Sequence, residues 1–288
     1  MAVKKVIATK TVKRADLKVL LAKAKKSRFP KNIKPMLATL VDEPFDAEGW
    51  QYEIKWDGYR AVAYINKGKV VLQSRNLKSF DEKFYPVHDA LTGFKKDMVL
   101  DGEIIVADKE GMANFGHLQN WRSEADGQLL FYVFDILWYD GLSLMDLTLE
   151  DRRVILEAVL PQHDMIRLSE NFQASATDFF ETAGKMGLEG IMAKKAGSVY
   201  TPNDRSRDWL KIKTQTRHEV VIGGFTKNEG SARPFSSLLV GVYKNKKLQY
   251  TGKIGTGFSA KMQQEMMQQF KPLISKKSPF IILPDINK

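Results

Sequence analysis

The sequence predicts an α+β fold dominated by antiparallel strands, followed by a smaller all-β unit. Three observations lead there. Apolar stretches of strand length recur from residue 50 to about 140, at Trp50–Trp56, Ala61–Ile65, Lys69–Ser74, Met98–Ala107 and Leu129–Leu137. Helical patterns separate the later strands without the regular strand–helix alternation of a doubly wound sheet. After residue 214 the pattern turns to short strands bounded by glycine.

In chain order, Leu17, Leu20, Leu21 and Ala24 recur at helical spacing among Lys18, Lys23, Lys25 and Lys26, which predicts a short basic amphipathic helix. Pro30 and Pro35 end it, and Met36–Leu40 is an extended entry to the middle region. Asn66-Lys67-Gly68 predicts a hairpin turn, and Asp108-Lys109-Glu110-Gly111 another turn. Helices are expected over Leu149–Val159, behind Thr148, and over Ala176–Met186 around Phe179-Phe180. Val220–Phe225, Ser237–Tyr243 and Leu248–Ile254 read as strands and Ala260–Phe270 as a helix; short strands with a basic surplus fit an OB-like barrel.

The chain has 288 residues and no cysteine, which excludes disulfides, thiolate nucleophiles and cysteine-ligated metal centres. No run reaches the roughly 18 apolar residues of a membrane span, and the N-terminus lacks the apolar core of a secretory signal. A cytoplasmic protein of a bacterial or viral-host nucleoid is expected, without a membrane partner. The net charge of +11 divides unevenly: +11 over residues 1–34, −8 over 35–213 and +8 over 214–288. Basic segments on both sides of a mildly acidic middle suit a phosphate backbone, as much as they suit solvated tails.

The chemistry centres on Tyr52-Glu53-Ile54-Lys55-Trp56-Asp57-Gly58-Tyr59-Arg60. Apolar neighbours imply partial burial of Lys55, and a lysine whose surroundings lower its pKa becomes a nucleophile; an edge-strand lysine in a hairpin is the alternative. Leu100-Asp101-Gly102-Glu103 offers hard oxygens for magnesium or a ribose hydroxyl, and Ser74-Arg75-Asn76 offers donors for a phosphate or a turn. Glu189-Gly190-Ile191-Met192-Ala193-Lys194 sets a carboxylate before a glycine turn and a buried strand. In Trp209-Leu210-Lys211-Ile212-Lys213 the two lysines share one strand face, where an anion would relieve their repulsion.

In this order the segments resemble the nucleotidyltransferase superfamily of ATP-dependent DNA ligases and mRNA capping enzymes, over roughly residues 36–270. Glu-Ile-Lys-Trp-Asp-Gly-Tyr-Arg, Phe-Asp-Ile-Leu and Arg-Ser-x-x-Trp-Leu-Lys-x-Lys are most similar to the ligase domain of the bacterial end-joining ligase D. The resemblance implies a basic arm (1–34), an antiparallel-sheet nucleotidyltransferase (ATP-grasp-like) domain (35–215) and an OB-fold domain (216–288). It implies ATP as AMP on Lys55, with Asp57 in the catalytic set, Glu53 at the adenine amino group and Ile54 beside the nucleotide. Arg60 and Arg75 would meet ribose or phosphates, Glu103 the ribose or metal, and Phe134 the adenine face. Glu189 would bind Mg2+ or Mn2+, and Lys211 and Lys213 would neutralise the α-phosphate. Nicked duplex DNA is the expected partner of a monomer, with a Ku-like end-joining partner as a further expectation. Lys4, Lys5, Lys10, Lys13, Arg14, Lys18, Lys23, Lys25, Lys26 and Arg28 are expected on duplex phosphates, as is Arg205, which precedes the last motif.

The final basic motif of such ligases, which orients the leaving pyrophosphate, has no counterpart. Arg233-Pro234 comes too early, and the segment Pro284–Lys288 stands where further strands are expected, so the OB-fold domain is expected to be C-terminally incomplete. RNA ligase, capping guanylyltransferase and a nick-binding protein without turnover are the alternatives.

Overall fold

Along residues 59–66, Ala61, Ala63 and Ile65 enter one buried cluster while Val62 and Tyr64 enter another, so this strand belongs to a sheet covered on both faces. The structure is a computed structural model that describes residues 14–108, 112–172, 175–214, 219–227, 230 and 232–282. It forms two compact units, Met1–Gln215 and Thr216–Lys288.

The larger unit runs through α1 (Arg14–Ala22), β1 (Lys25–Lys26), β2 (Leu37–Val41), β3 (Trp50–Ile54), β4 (Tyr59–Asn66), β5 (Lys69–Ser74), α2 (Tyr85–Thr92), β6 (Met98–Ala107) and α3 (Phe115–Asn120). It continues with β7 (Gln128–Tyr139), β8 (Leu142–Ser143), α4 (Leu149–Val159), β9 (Ile166–Leu168), β10 (Asn171–Phe172), α5 (Ala176–Lys185), β11 (Gly190–Lys195) and β12 (Arg205–Lys213). Among the described residues the first sheet has the order β1-β8-β7-β6-β4-β5, with β9 added to β7. The second has the order β10-β3-β11-β12-β2. Pairing is antiparallel except for β7 with β9 and β12 with β2, so the expected antiparallel architecture carries two parallel pairings.

One face of the first sheet meets α2 and α4 over a core of Leu72, Leu91, Leu100, Phe131, Ile155 and Leu156. Helix α4 starts where predicted: Thr148 accepts from the Asp151 amide at 3.2 Å, and Glu150 and Asp151 stand in the first turn, where the helix dipole favours acids. The opposite face of the sheet is covered by a second cluster, in which Val62, Tyr64 and Val99 of this sheet pack with Trp209 of the other.

The basic N-terminal segment departs from the expected arm. From Arg14 on it is part of the larger unit. Leu17, Leu20, Leu21 and Ala24 pack on the first core, β1 pairs with β8, and the Phe29 ring stands edge-on to Trp138 at 4.9 Å. Apolar burial holds this segment, while Lys23 to Asp151 (2.9 Å) and Lys25 to Asp146 (2.8 Å) add exposed ion pairs of small worth. Lys4, Lys5, Lys10, Lys13, the Arg14 side chain, most of the turn at 108–111 and the segment 284–288 lie outside the described residues.

In the smaller unit β13 (Val221–Thr226), β14 (Ser237–Lys244) and β15 (Lys247–Ile254) form an antiparallel sheet in that order, followed by α6 (Ala260–Phe270). Met266, Met267 and Phe270 of α6 pack against Phe235, Leu238 and Val240. The described part is thus three strands and a helix, short of a five-stranded barrel.

Candidate active site

Strand periodicity puts the predicted residues on one surface. In the second sheet Glu53 stands opposite Met192, Met192 opposite Lys211, and Lys194 opposite Trp209. Tyr52, Ile191, Ala193, Leu210 and Ile212 take the other face and are buried with Phe179 and Phe180 of α5. The polar face therefore looks across at the first sheet, and a cavity lies between them. Glu53, Ile54, Lys55, Arg60, Arg75, Glu103, Phe134, Arg205 and Lys211 all line it, together with Leu37, Ala38, Trp56, Met192, Lys194 and Trp209.

Lys55 follows directly on β3. Its amide donates to the Gly190 carbonyl at 3.0 Å. The next residue anchors the backbone: the Trp56 ring stacks on Tyr132 at 3.8 Å and its indole donates to Ser169 Oγ at 3.1 Å. The turn then passes so close to β6 that a Cβ on Gly58 would lie 2.2 Å from the Ile104 carbonyl oxygen. These contacts fix where the Lys55 side chain emerges. Its Nζ donates to Oε2 of Glu189, whose Oε1 is 3.2 Å from Lys213 Nζ. Glu189 can reach both lysines because β11 begins against β12, where a Cβ on Gly190 would lie 2.0 Å from the Ile212 carbonyl oxygen.

The electrostatics around Lys55 are unbalanced. The Lys211 ammonium is pushed down by burial and then by Lys55, Arg205, Lys213 and Arg75, a convergence of cations suited to polyphosphate. Burial raises the Asp57 carboxyl, and Glu189 beside it adds to the rise. Burial also pushes Glu103 up to about 8 against the opposing pull of Arg60 and Lys55. Lys213 and Glu189 do not line the cavity themselves; they join it through Lys55.

The same cavity is lined by Phe134, Trp209, Lys194 and Glu53. The Lys194 ammonium is 4.3 Å from the centroids of both rings and donates to Glu53 Oε2 at 2.8 Å. Arg60 lines the cavity, yet most of its donors are engaged internally: Nε and Nη2 with Asp101 at 2.9 and 2.6 Å, and Nη1 with the Met36 carbonyl at 2.6 Å. Asp101, read in sequence as a hard ligand, is fully buried in that pair and also accepts from the Tyr200 hydroxyl at 2.7 Å. Ser74 serves its turn, accepting from the Lys78 amide at 3.0 Å, and leaves Arg75 exposed at the cavity. Arg205 is exposed at the cavity wall and donates to the Ala38 carbonyl at 2.6 Å. Lys18, Lys26 and Arg28 are exposed, while Lys23 and Lys25 are ion-paired.

Sequence reasoning missed Lys194, Trp209 and Met192 as cavity residues. The signal was available, since alternation from Lys211 reaches Trp209 and alternation along the buried strand puts Met192 and Lys194 on one face.

No group of three or more acidic or histidine side chains forms a metal cage among the described residues. Magnesium needs no such cage, because it commonly takes one or two carboxylates and completes its shell with substrate phosphates and water. Glu103 and Glu189 present the hard oxygens required, and a bound cation would offset the burial that raises the partly exposed Glu103 carboxyl. The donor set fits a hard divalent cation.

Residues 35–213 match the family model for an ATP dependent DNA ligase domain, and residues 231–287 match the ATP dependent DNA ligase C terminal region. The chain is 39% identical over 266 residues to the multifunctional non-homologous end joining protein LigD of Pseudomonas aeruginosa, covering 90% of this chain and 31% of that protein. To the LigD of Mycolicibacterium smegmatis it is 36% identical over 262 residues, 90% of this chain and 34% of the relative. The chain thus spans about a third of the length of these curated relatives. Its fold is similar to a solved mycobacterial DNA ligase D complexed with ATP and MES, with TM-score 0.61 and 32% identity over 88% of this chain and 83% of that one.

Proposed function

The chain belongs to the family of ATP-dependent DNA ligases, and on that premise we propose that it seals nicks in duplex DNA, with Lys55 as the nucleophile that carries AMP. The observation that carries this reading is the contact of Lys55 Nζ with Glu189 beside a cavity lined by several cations and by the Phe134 and Trp209 rings.

Lys55 must lose a proton before it can attack, and Glu189 Oε2 is the acceptor in contact with it. The Nζ–phosphorus bond then forms as the bond from the α-phosphorus to the pyrophosphate oxygen breaks. Lys211, Lys213 and Arg75 offset charge on the phosphates, and Phe134 and Glu53 hold the base. Glu103 and Glu189 would hold a divalent metal, which supplies Lewis-acid stabilisation of phosphate charge. AMP next passes to the 5′-phosphate of a nick, and attack by the 3′-hydroxyl releases it.

Duplex DNA as acceptor is supported by the basic flanks and by the match of residues 231–287 to the ligase C-terminal region. We read residues 216–288 as OB-type on the same ground. A Ku-like partner follows only from the likeness to end-joining relatives. The test is the mass of the purified protein after incubation with ATP. One added AMP is expected, absent in Lys55→Ala, followed by sealing of a nicked duplex; labelling by GTP alone would overturn the reading.

A further inference from the structure

Helix α4 carries a buried charge that no motif contains. The Arg153 side chain is 3% exposed and its Nη2 donates to the Ser169 carbonyl at 2.8 Å, which fixes the guanidinium plane. Its Nη1 points toward Glu53 Oε1 but stops at 3.6 Å, beyond hydrogen-bond range. Nε and Nη1 of Arg153 and Oε1 of Glu53 are all buried without a hydrogen-bond partner. Such orphans are costly unless a shift of a few tenths of an ångström joins them into a charge-assisted bond.

Glu53 lies between two buried cations. Lys194 holds Oε2, but its charge is shared with the faces of Phe134 and Trp209. Arg153 faces Oε1, and its other acid, Glu157, is partly exposed and 3.8 Å away. A carboxylate that is 1% exposed depends on such partners to offset the cost of its burial.

We propose that Arg153 is a positioning residue for nucleotide selection, acting through Glu53: it holds that carboxylate in the orientation from which Glu53 accepts from the exocyclic amine of the purine. The proposal rests on the ligase reading of the cavity. Without Arg153, the Oε1 side of Glu53 would lose the cation that faces it, and the acceptor would no longer be held toward the purine amine. Loss of Arg153 would therefore weaken adenine binding and, with the acceptor no longer fixed, relax discrimination against guanine. Arg153 is bonded to the Ser169 carbonyl and faces Glu53 rather than Lys55, so the rate at saturating ATP would hold.

The test measures initial rates of lysyl-nucleotide formation with labelled ATP and GTP on the full chain. Arg153→Met is expected to raise KM for ATP about tenfold, to leave the maximal rate within about twofold, and to narrow the ATP/GTP ratio. Arg153→Lys should restore part of both effects, and the double variant R153M/E53Q should be no worse than E53Q. An unchanged KM and ATP/GTP ratio in R153M, or effects of R153M and E53Q that multiply, would overturn the proposal. If R153M does not fold, R153Q, which keeps a donor for the Ser169 carbonyl, is held to the same outcomes. Failure of the unsubstituted protein to form any adduct would count against the ligase reading instead. Calorimetric ATP affinity of K55A against K55A/R153M would then decide on Arg153: weaker binding in the double variant supports it, equal binding overturns it.

Discussion

Glu103 shows how one side chain can be held against its solution chemistry. Its folded pKa, about 8, lies above the ordinary 4.5, so between those values the folded protein keeps a proton that the unfolded chain releases. Folding stability contributed at this site is therefore lost as pH rises through that window. Glu103→Gln removes the titration. Its stability relative to the unsubstituted protein should improve by more than about 1 kcal/mol between pH 5 and pH 8, read from denaturant midpoints in metal-free buffer. A difference that does not change with pH would mean that the carboxyl is ionised throughout. Lys55 and Glu189 depend equally on their surroundings: the sequence shows a lysine and a carboxylate 134 residues apart, and only the fold makes them partners.

Among the elements, the start of β11 is the most tightly constrained. A methyl group at Gly190 would meet the Ile212 carbonyl and the Lys213 Cα, both backbone, so the strands would have to part. Gly190→Ala should cost at least about 2 kcal/mol in chemical denaturation, and it should lower lysyl-AMP formation even under conditions where the variant stays folded, because Glu189 would move off Lys55. In α1 the outcome differs by face. Leu21→Ala, which trims a partly buried side chain packed on the main core, should cost about 1–3 kcal/mol. The double change Lys23→Ala and Lys25→Ala should cost less than about 1 kcal/mol, since both ion pairs are exposed.

For the whole molecule, the packing of α1 changes how DNA binding by the basic segment can be tested. Deleting residues 1–34 would uncover the main core, so a loss of DNA affinity in that deletion would carry no electrostatic meaning. Neutralising the exposed Lys18, Lys26 and Arg28 together avoids this. If they meet phosphates, the dependence of log affinity for a nicked duplex on log salt should flatten by about 0.9 for each phosphate no longer neutralised, while adenylylation of Lys55 is unchanged. An unaltered slope would remove these residues from the interface.

The sequence by itself determined the longer strands, the helices at 149–159, 176–185 and 260–270 and the Lys55 motif, because alternation, capping residues and glycine turns act over a few residues; α2, α3 and the short strands β1, β8, β9 and β10 were not legible in it. Leu149–Val159 falls behind its predicted Thr148 cap, and Ala260–Phe270 is the helix expected there. It also carried the strand alternation that put Glu53 and Lys211 at the cavity, though Met192, Lys194 and Trp209 were missed. Only the tertiary structure decided what those residues touch. It committed most of Arg60 to Asp101 and Met36, drew residues 14–34 into the larger unit, and set Arg153 behind Glu53. Those pairings join segments that are remote in the chain, and buried ionic contacts are chosen by where the backbone puts opposite charges, which no local pattern encodes.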